Sequence, residues 1–483
     1  MTCSIIPSYL LRHVVETADR SPHPGVRTLE LDERLRNRRT TVRGRTRTAA
    51  KSRRAGSKRT IYTAGQTEKL PGSKARADTD PKTGDACVDE AWASSAQTLQ
   101  LFAEVFGRDS VDGKGTGVKV SVHYGKDYDN AFWDGHQLVF GDGDGEVFER
   151  FTKPMDVMAH EFTHGVTQDT AGLSYDGQSG ALNESVSDVF ASICKQRVNK
   201  QTAKQADWLI GEGIFVKGIK ATGLRSMKKP GTAYDDPRLG KDPQVGSMAD
   251  YVDTTDDNGG VHINSGIPNK AFYLAATSLG GHSWDKAGPI WYQALTGGGV
   301  GADTDFAGFA AATVNAATRL YPDDPDVATK ITQAWAEVGV LKSAAGADRR
   351  PARARRRSQT VTISRSGGLA GAIRTAELDP ASDVGRRISA LLERIDQGDL
   401  DARGRGARPQ PDRFVYRLAY GDKQLTVQEQ DLPPELGRAI RSALAPGSRP
   451  GLVGGAIAGA ADVRRGGNPR GGRAPAEGRE PGR

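Results

Sequence analysis

The sequence HEFTH at positions 160–164 constrains this chain most, because its two histidines can act together only on a helix. Positions i and i+4 share one face of an α-helix, so the imidazoles of His160 and His164 can reach one metal ion. The surrounding apolar pattern predicts a helix over 154–170. Neutral imidazole suits Zn²⁺, and Glu161 can take a proton from a water on the metal. The alternative is a helix with two histidines on a solvated face.

A second polar motif, NESVSD at 183–188, begins another predicted helix over 181–196. A catalytic zinc ion needs three protein ligands and an open position, and Glu184 can supply the third ligand. Asp188 lies one turn later, where its carboxylate can accept the spare N–H of a liganding histidine, and Asn183 is assigned a similar supporting role. Taken alone, these residues could equally be the surface acids of an ordinary helix. Next to HEFTH, the ligand interpretation is favoured.

Strand-like runs come first in the central part of the chain, and helical patterns follow. The run GVKVSVHY at 117–124 is typical of a strand, and further helical patterns cover 264–279 and 326–340. This order predicts an α+β fold in two lobes, a β-rich N-terminal lobe and a mainly helical C-terminal lobe. A second, small α+β domain is predicted at 358–445, where two strand patterns flank Gly421.

The net charge of +8 is concentrated in connecting segments. Residues 34–59 hold 12 Lys/Arg and no acid, 349–357 hold six Arg, and 449–483 are rich in Gly, Pro and Arg. The rest of the chain is therefore acidic. Basic strips can bind nucleic acid, but no aromatic residues lie between the charges of 34–59 as platforms for base stacking. Solvated linkers are the favoured interpretation.

These changes in composition divide the chain into five segments. An N-terminal segment with a disordered basic strip covers 1–59, a globular domain 60–341, an Arg-rich linker 342–357, the small domain 358–445 and a disordered tail 446–483. No stretch is apolar enough for a transmembrane helix, and three cysteines are too few for a disulfide scaffold. The N-terminal apolar run is a poor signal peptide, because it is short and lacks a preceding basic region.

HEFTH followed by NESVSD resembles the thermolysin family of zinc endopeptidases. Three other segments agree with the resemblance, namely NAFW at 130–133, GLSY at 172–175 and DNGGVHINSG at 257–266. The resemblance covers about 60–341 and implies a two-lobed fold with the zinc helices at the cleft. The short N-terminal segment, with PSYLL at 7–11, is similar to the compact propeptide of the protealysin-like group within this family.

The resemblance also implies roles for residues around the metal. Glu161 would be the general base, and His262 would stabilise the oxyanion or protonate the leaving amine, with Asp257 orienting its ring. Tyr175 would donate a second hydrogen bond to the oxyanion. Such a donor typically contributes about 3 kcal/mol in a cleft of low dielectric constant. Without the resemblance, Tyr175 would be interpreted as an ordinary core residue.

A substrate-binding cleft is implied as well. Asn130 and Ala131 resemble the edge strand that pairs with the substrate backbone, and Arg225 resembles the residue that holds a substrate carbonyl beside the S1′ pocket. An apolar S1′ pocket implies cleavage on the amino side of Leu, Ile, Val or Phe. Taken singly, the pocket residues could belong to the core and Arg225 could be a surface charge. The residues that would line the pocket are Val157, Ile210 and Leu224.

One departure from the family concerns calcium. Members commonly hold a paired calcium site near the zinc helices, and Asp156, Asp207 and Glu212 match ligand positions. Lys195 and Leu209 stand where the family pattern usually has glutamates. A Lys ammonium cannot ligate a cation. We therefore expect that the double calcium site is lost, although Ca²⁺ binding stays possible. Lys195 would instead neutralise the remaining carboxylates as a buried ion pair.

The flanking segments suggest regulation. By resemblance, 1–59 is a propeptide with a processing strip, cut somewhere in 34–61. The runs VTISRSGGLAG at 361–371, DRFVY at 412–416 and QEQDLP at 428–433 resemble emfourin, a small protein inhibitor of protealysin-like enzymes. A protease fused to its inhibitor would be autoinhibited until the arginine linker is cut. The alternative is an accessory domain that binds elsewhere.

The sequence thus predicts a zinc metalloendopeptidase made as a latent precursor, with peptide or protein substrates and no membrane or nucleic-acid partner. The alternative is a fused protease–inhibitor protein that acts mainly as a regulatory binder, and the presence of Glu161 favours an enzyme. The resemblance favours secretion although no signal peptide is visible, and a cytoplasmic pool stays open.

Three interpretations of Cys3 stay open. It is an inert apolar residue, a redox-sensitive thiol, or a zinc ligand that keeps the precursor latent. The histidines interpreted as structural or solvated, without partner spacing, are His13, His23, His123, His136 and His282.

Overall fold

The computed structural model describes residues 3–18, 23–40 and 59–341, together with parts of the C-terminal region. The chain divides into two units, Met1–Arg349 and Arg350–Arg483. Residues 41–58 of the basic strip, the Arg-rich linker and the C-terminal tail lie outside the described residues. The described residues of the second unit are 361–366, 374–378, 382, 384–388, 415–420, 423–428, 437–438 and 440.

A six-stranded mixed sheet forms the N-terminal lobe. Its strands are β1 (Cys3–Ser4), β2 (Arg59–Thr67), β3 (Ser73–Ala77), β4 (Val118–Tyr124), β5 (Ala131–Trp133) and β6 (Leu138–Phe140). They lie in the order β1-β5-β6-β4-β2-β3, with β2–β4 and β4–β6 parallel and the other pairs antiparallel. The β-branched residues Val118, Val120 and Val122 of β4 are buried, which gives the sheet its apolar face. Strand β1 belongs to the N-terminal segment and pairs with β5.

Two helices of the N-terminal segment follow β1. Helix α1 (Ser8–Glu16) is amphipathic and buries Leu10, Leu11 and Val14. Helix α2 (Pro24–Thr40) buries Thr28, Leu31 and Asp32. The basic strip was interpreted as disordered or protease-accessible from residue 34, but its first turns are helical, because α2 continues to Thr40. Arginine is a good helix former, so the helix anchored by its first half can extend through the basic residues.

Helix α3 (Ala86–Phe106) packs on β2, β3 and β4, and local chemistry explains both its ends. The Asp85 carboxylate accepts a hydrogen bond from the backbone N–H of Val88 at the N-terminus. At the C-terminus, Gly107 adopts the left-handed conformation that glycine tolerates (φ 63°).

The next two helices, α4 (Met155–Asp169) and α5 (Gly177–Val198), pack against each other in the middle of the molecule. Surface helices bury one face, but α4 buries Asp156–Thr167 and α5 buries Ser179–Gln196 without interruption. These stretches contain His, Glu, Asp and Asn side chains. Buried polar groups are costly unless they are hydrogen-bonded or bind a metal, so a functional site is expected between these helices.

The C-terminal lobe is mainly helical. Its core includes the stacked rings of Trp291 and Trp335, whose centroids are 6.0 Å apart. The predicted helices at 264–279 and 326–340 correspond to α7 (Gly266–Leu279) and α10 (Pro325–Glu337). The elements of this lobe are β7 (Leu209–Ile210), β8 (Arg225–Ser226), β9 (Asp235–Asp236), β10 (Gly240–Lys241), α6 (Asp257–Asn264), α7 (Gly266–Leu279), α8 (Ala287–Thr296), α9 (Phe306–Leu320) and α10 (Pro325–Glu337).

The second unit contains a four-stranded antiparallel sheet in the order β12-β11-β13-β14. Strands β13 and β14 flank Gly421 as expected, and helical residues occur at 384–388 within the predicted helix. The α+β fold class with two lobes is confirmed. Among the described residues, no helix combines the length and the apolar character needed to cross a membrane. The strands of this unit are β11 (Val361–Ser366), β12 (Arg374–Leu378), β13 (Val415–Tyr420) and β14 (Lys423–Gln428).

Candidate active site

Three side chains from α4 and α5 bring their ligand atoms together. Nε2 of His160 lies 3.0 Å from Nε2 of His164 and 3.4 Å from Oε2 of Glu184. Nε2 of His164 lies 3.5 Å from Oε1 of Glu184. Around a tetrahedral ion with bonds of about 2.0–2.1 Å, neighbouring ligand atoms are about 3.3 Å apart. The observed separations therefore fit one zinc ion.

The other nitrogen of each histidine is held by a side chain of α5. Nδ1 of His160 lies 2.9 Å from Oδ1 of Asp188, and Nδ1 of His164 lies 2.9 Å from Oδ1 of Asn183. These acceptors assign the proton to Nδ1 in both rings. Both Nε2 atoms then face the same space, where their lone pairs would repel each other unless a proton or a metal ion lies between them. The donor set therefore fits a metal.

The electrostatic environment of His160, His164 and Glu184 favours a positive charge. Burial alone would lower the pKa of His160, but hydrogen bonds and negative charges from Asp188 and Glu184 outweigh it and raise the pKa to about 9. Burial lowers the pKa of His164 to about 4, which keeps this imidazole neutral, as a metal ligand must be. Burial would raise the pKa of Glu184, but the charge of His262 and the hydrogen bond and charge of His160 hold it well below its usual value.

Glu161 lies beside this cluster and is fully buried. Neither carboxylate oxygen has a well-formed hydrogen bond within the described part of the chain. Burial raises the pKa of Glu161 well above its usual value, and the nearby charge of Glu184 adds to this, while His160 opposes it. A carboxylate with a raised pKa and unsatisfied oxygens is suited to accept a proton.

The opposite wall of the site is formed by His262 and Tyr175. Nδ1 of His262 donates to Oδ1 of Asp257 (2.7 Å), and the His262 backbone N–H donates to the other Asp257 oxygen (2.8 Å). The Tyr175 hydroxyl donates to Glu184 and lies 3.3 Å from Nε2 of His262. Burial would lower the pKa of His262, but the charges of Asp257 and Glu184 outweigh it and raise the pKa, which favours the form in which both ring nitrogens carry a proton.

The backbone before His262 follows an unusual path. Asp257, Asn258, Gly259 and Gly260 all adopt positive φ, between 52° and 81°. A Cβ on Gly259 would lie 2.8 Å from the backbone nitrogen of Gly177, so this turn packs directly against the start of α5. The DNGG sequence thereby places His262 opposite His160, His164 and Glu184.

Arg225 has a partner that the sequence did not indicate. Its Nε and one terminal nitrogen donate to the two carboxylate oxygens of Asp188, at 2.8 and 2.7 Å. Asn269 of α7 donates to the same carboxylate at 2.8 Å. The positive charge of Arg225 holds the pKa of Asp188 well below its usual range, despite burial. Asn269 was missed by sequence reasoning, since no local pattern links it to Asp188.

The residues expected to bind substrate contact the N-terminal segment. Strand β1 pairs antiparallel with β5, with Cys3 opposite Trp133 and Ser4 opposite Phe132. The Asn130 side chain and the Ala131 carbonyl hydrogen-bond to the backbone beyond β1, as does Arg225. The side chain of Cys3 lies outside the described residues. Val157, Ile210 and Leu224 are at most 3% exposed and belong to one apolar core with Ile5.

A second contact anchors the segment through α2. The buried carboxylate of Asp32 accepts hydrogen bonds from the Tyr128 hydroxyl and from Nδ2 of Asn130 (2.9 Å). The Thr28 hydroxyl accepts from the backbone N–H of Asp129 at 3.0 Å. Sequence reasoning missed Asp32 and Thr28. The only local signal was two small polar residues, four positions apart, on one helical face.

Lys195 lies among the acidic residues that the sequence predicts to have lost their calcium. Its Nζ is 2.9 Å from Oδ2 of Asp207 and 2.9 Å from Oε2 of Glu212. It also lies 3.4 Å from the backbone oxygen of Leu209. Burial raises the pKa of Asp156, whereas the charge of Lys195 lowers it.

Comparison with known proteins identifies the domains of this chain. Residues 28–168 match the thermolysin metallopeptidase catalytic domain, 171–340 match its alpha-helical domain, and 363–444 match emfourin. The chain is 48% identical over 339 residues to the extracellular metalloprotease of Pectobacterium carotovorum subsp. carotovorum, covering 70% of this chain and 96% of the relative. The chain belongs to the thermolysin family. It is therefore a metalloendopeptidase of a zinc-dependent family, as predicted.

Two further relatives place the peptidase within the family. It is 40% identical over 263 residues to thermolysin from Alicyclobacillus acidocaldarius subsp. acidocaldarius, covering 53% of this chain and 46% of that relative. It is similar to the structure of the precursor of protealysin, a metalloproteinase from Serratia proteamaculans, with 50% identity and a TM-score of 0.64. That match covers 70% of this chain and 100% of the other. The resemblance to the protealysin-like group is confirmed, while the roles of individual residues stay predictions.

Replacing Asp188 by Asn tests how the zinc ligands are held. We expect the zinc dissociation constant of the folded peptidase to rise about 10–100-fold, because His160 loses the charge that fixes and activates its ring. Competition with a chromogenic chelator measures it, and near-UV circular dichroism confirms the fold. Asn183→Ala is the matched variant with a smaller expected loss, because the Ser187 hydroxyl lies 3.1 Å from Nδ1 of His164. Unchanged affinity in Asp188→Asn would contradict this role.

Proposed function

We propose that this metalloendopeptidase binds zinc through His160, His164 and Glu184 and uses Glu161 as its general base. The observation that carries the assignment is the convergence of three ligand atoms within 3.0–3.5 Å beside a buried carboxylate without well-formed hydrogen bonds among the described residues. A zinc ion, when bound, polarises a substrate carbonyl and lowers the pKa of water.

The residues around the metal would then divide the work of hydrolysis. Glu161 removes a proton from the attacking water, and the proton ends on the leaving nitrogen. His262, oriented by Asp257, and the Tyr175 hydroxyl lie 3.3 Å apart and can both donate to the developing oxyanion. Each such donor is expected to contribute about 3 kcal/mol of transition-state stabilisation.

Specificity would come from the apolar residues Val157, Ile210 and Leu224. They are buried in the same core as an isoleucine of the N-terminal segment, which supports a pocket for an aliphatic or aromatic side chain. We infer cleavage of peptides and proteins on the amino side of Leu, Ile, Val or Phe.

The N-terminal segment, 1–59, would act as a propeptide that keeps the enzyme latent. Its backbone occupies hydrogen-bonding groups of Asn130, Ala131, Arg225 and His262 that a substrate would need. Activation would require a cut between 34 and 61. Curated relatives are named extracellular proteases, which supports export of this chain as well.

The emfourin domain would inhibit the peptidase domain to which it is tethered. A linker of about 15 residues gives a tethered domain an effective concentration in about the mM range. The second candidate function, a fused protease and inhibitor that mainly binds other proteases, rests on this same domain. It predicts no turnover by the full chain under any activating condition.

We also propose that the Lys195 ammonium replaces calcium. It lies 2.9 Å from each of two carboxylates that match calcium-ligand positions, Asp207 and Glu212. A cation placed there would face a fixed positive charge.

Glu161→Ala tests the catalytic assignment. Hydrolysis of a furylacryloyl Gly-Leu peptide by the zinc-loaded, processed protein should fall by about 10³-fold or more, since the base is lost. A zinc chelator should abolish the activity of the unaltered protein. Glu337→Ala, which removes an exposed carboxylate on α10, is the matched control and should keep full activity. A Glu161→Ala protein that retains the rate of this control would refute the assignment.

Removing the C-terminal domain tests autoinhibition. A chain ending at Ser343 should hydrolyse the peptide at least about tenfold faster than the full chain, because a tethered inhibitor at mM effective concentration is removed. A chain ending at residue 445 lacks only the tail and should behave like the full chain. Equal rates for all three chains would end the autoinhibition hypothesis.

Titration with calcium tests the role of Lys195. The melting temperature of the natural chain should not change with calcium, and a clear rise at micromolar calcium would overturn the proposal. Lys195→Met should lower stability by about 2 kcal/mol, less than the 3–5 kcal/mol typical of a fully buried pair, because Asp207 and Glu212 are partly solvated. Lys204→Met, at an exposed position, is the matched control.

A further inference from the structure

The N-terminal segment lies in the cleft in one defined register. The backbone N–H of Ile5 donates to the Ala131 carbonyl (3.1 Å). Ile6 donates its N–H to Oδ1 of Asn130 (3.0 Å) and accepts from Nδ2 of the same side chain (3.1 Å). Strand addition of this kind fixes both the chain direction and the position of each residue.

Two carbonyl groups of the segment meet the residues proposed to hold a substrate. Nε2 of His262 donates to the Ser4 carbonyl at 3.1 Å, and a terminal nitrogen of Arg225 donates to the Ile5 carbonyl at 3.1 Å. His262 is proposed to stabilise the oxyanion of the carbonyl under attack. Arg225 is proposed to hold the next carbonyl, that of the residue in S1′. The peptide bond between Ser4 and Ile5 therefore occupies the place of a scissile bond.

We propose that the precursor binds its own Ser4–Ile5 peptide bond as a substrate and hydrolyses it within the same molecule. This inference rests on the proposed function of Glu161, His262 and Arg225. It adds a covalent modification site that is separate from the activating cut expected in 34–61.

Side-chain chemistry supports the same register. Ile5 is fully buried and belongs to the core that contains the proposed S1′ residues. An isoleucine on the carboxyl side of the bond is also what the proposed specificity requires. Ser4 on the other side is small and partly exposed, so nothing bulky opposes access to its carbonyl carbon.

The reaction needs only water. The water oxygen bonds to the Ser4 carbonyl carbon, Glu161 takes one of its protons, and the C–N bond to Ile5 breaks as that proton reaches the Ile5 nitrogen. The products are the peptide of residues 1–4, whose new Ser4 carboxyl group releases the second water proton to solvent as it ionises, and a chain that begins with the amino group of Ile5. No oxidation or group transfer is involved.

The cut chain should remain latent. After hydrolysis, Ile5 and Ile6 keep their contacts with Ala131, Asn130 and Arg225, and α1 and α2 keep the segment docked on the body of the protein. Asp32 holds Tyr128 and Asn130 independently of the cut. The S1′ position thus stays filled, and release of activity depends on removal of the whole segment.

The test measures the N-terminus of the full chain. Zinc-free protein is loaded with zinc, and intact mass and N-terminal sequencing follow the loss of residues 1–4 over time. We expect Ile5 as the new N-terminus at a first-order rate that does not depend on protein concentration, with no matching rise in peptide hydrolysis. Glu161→Ala should keep its original N-terminus.

Two matched variants test the register. Ile5→Pro removes the N–H that pairs with Ala131 and should lose the cut between residues 4 and 5. Ile5→Val keeps this N–H and an aliphatic side chain, so it should retain the cut. Circular dichroism confirms that both chains fold.

The outcomes separate this inference from the proposed function. A chain that hydrolyses the furylacryloyl peptide once processed, but keeps residues 1–4 on every docked segment, overturns the inference and leaves the proposed function intact. A cut that persists in Ile5→Pro, or whose rate rises with protein concentration, also overturns it. Failure of both self-cleavage and peptide hydrolysis overturns the proposed function itself.

Discussion

The site depends on the hydrogen bonds made by the buried carboxylate of Asp188. It accepts hydrogen bonds from His160 of α4, from two nitrogens of Arg225 on β8, and from Asn269 of α7. An unpaired charge in the interior costs several kcal/mol, so each of these partners must stay in position. One anion of α5 thus joins α4, β8 and α7, and it orients both His160, a predicted metal ligand, and Arg225, which donates to the backbone of Ile5.

Local sequence patterns were sufficient for the part of the site that lies within one helix. The spacing of His160 and His164 predicts their shared face because helical geometry is set by neighbouring residues. Glu184 and Asp188 could be placed on the next helix for the same reason. Joining these two helices into one site rested on the need of a catalytic zinc ion for a third protein ligand and on the family resemblance, since spacing alone does not tell which helices pack together.

Contacts between distant segments could not be predicted in this way. His123 has no partner spacing in the sequence and was interpreted as structural or solvated; its ring lies 2.8 Å from Asp142 and 3.0 Å from Asp85. These hydrogen bonds and charges, led by Asp142, raise its pKa to about 9 against the effect of burial. Asp32 likewise meets Tyr128 and Asn130 across about a hundred residues of chain. Such pairs follow from the fold and leave no local signal.

A lysine in place of a bound ion changes how the stability of the region around Lys195 would depend on the ions in solution. A bound ion stabilises a fold by mass action, so its contribution falls with dilution or with competition for the ion. A lysine is part of the chain, and its charge is present at full occupancy in every molecule at any concentration. Under the proposed replacement of calcium by Lys195, withdrawal of metal ions would act on the chemistry in the cleft, while the region around Asp207 and Glu212 would stay in place.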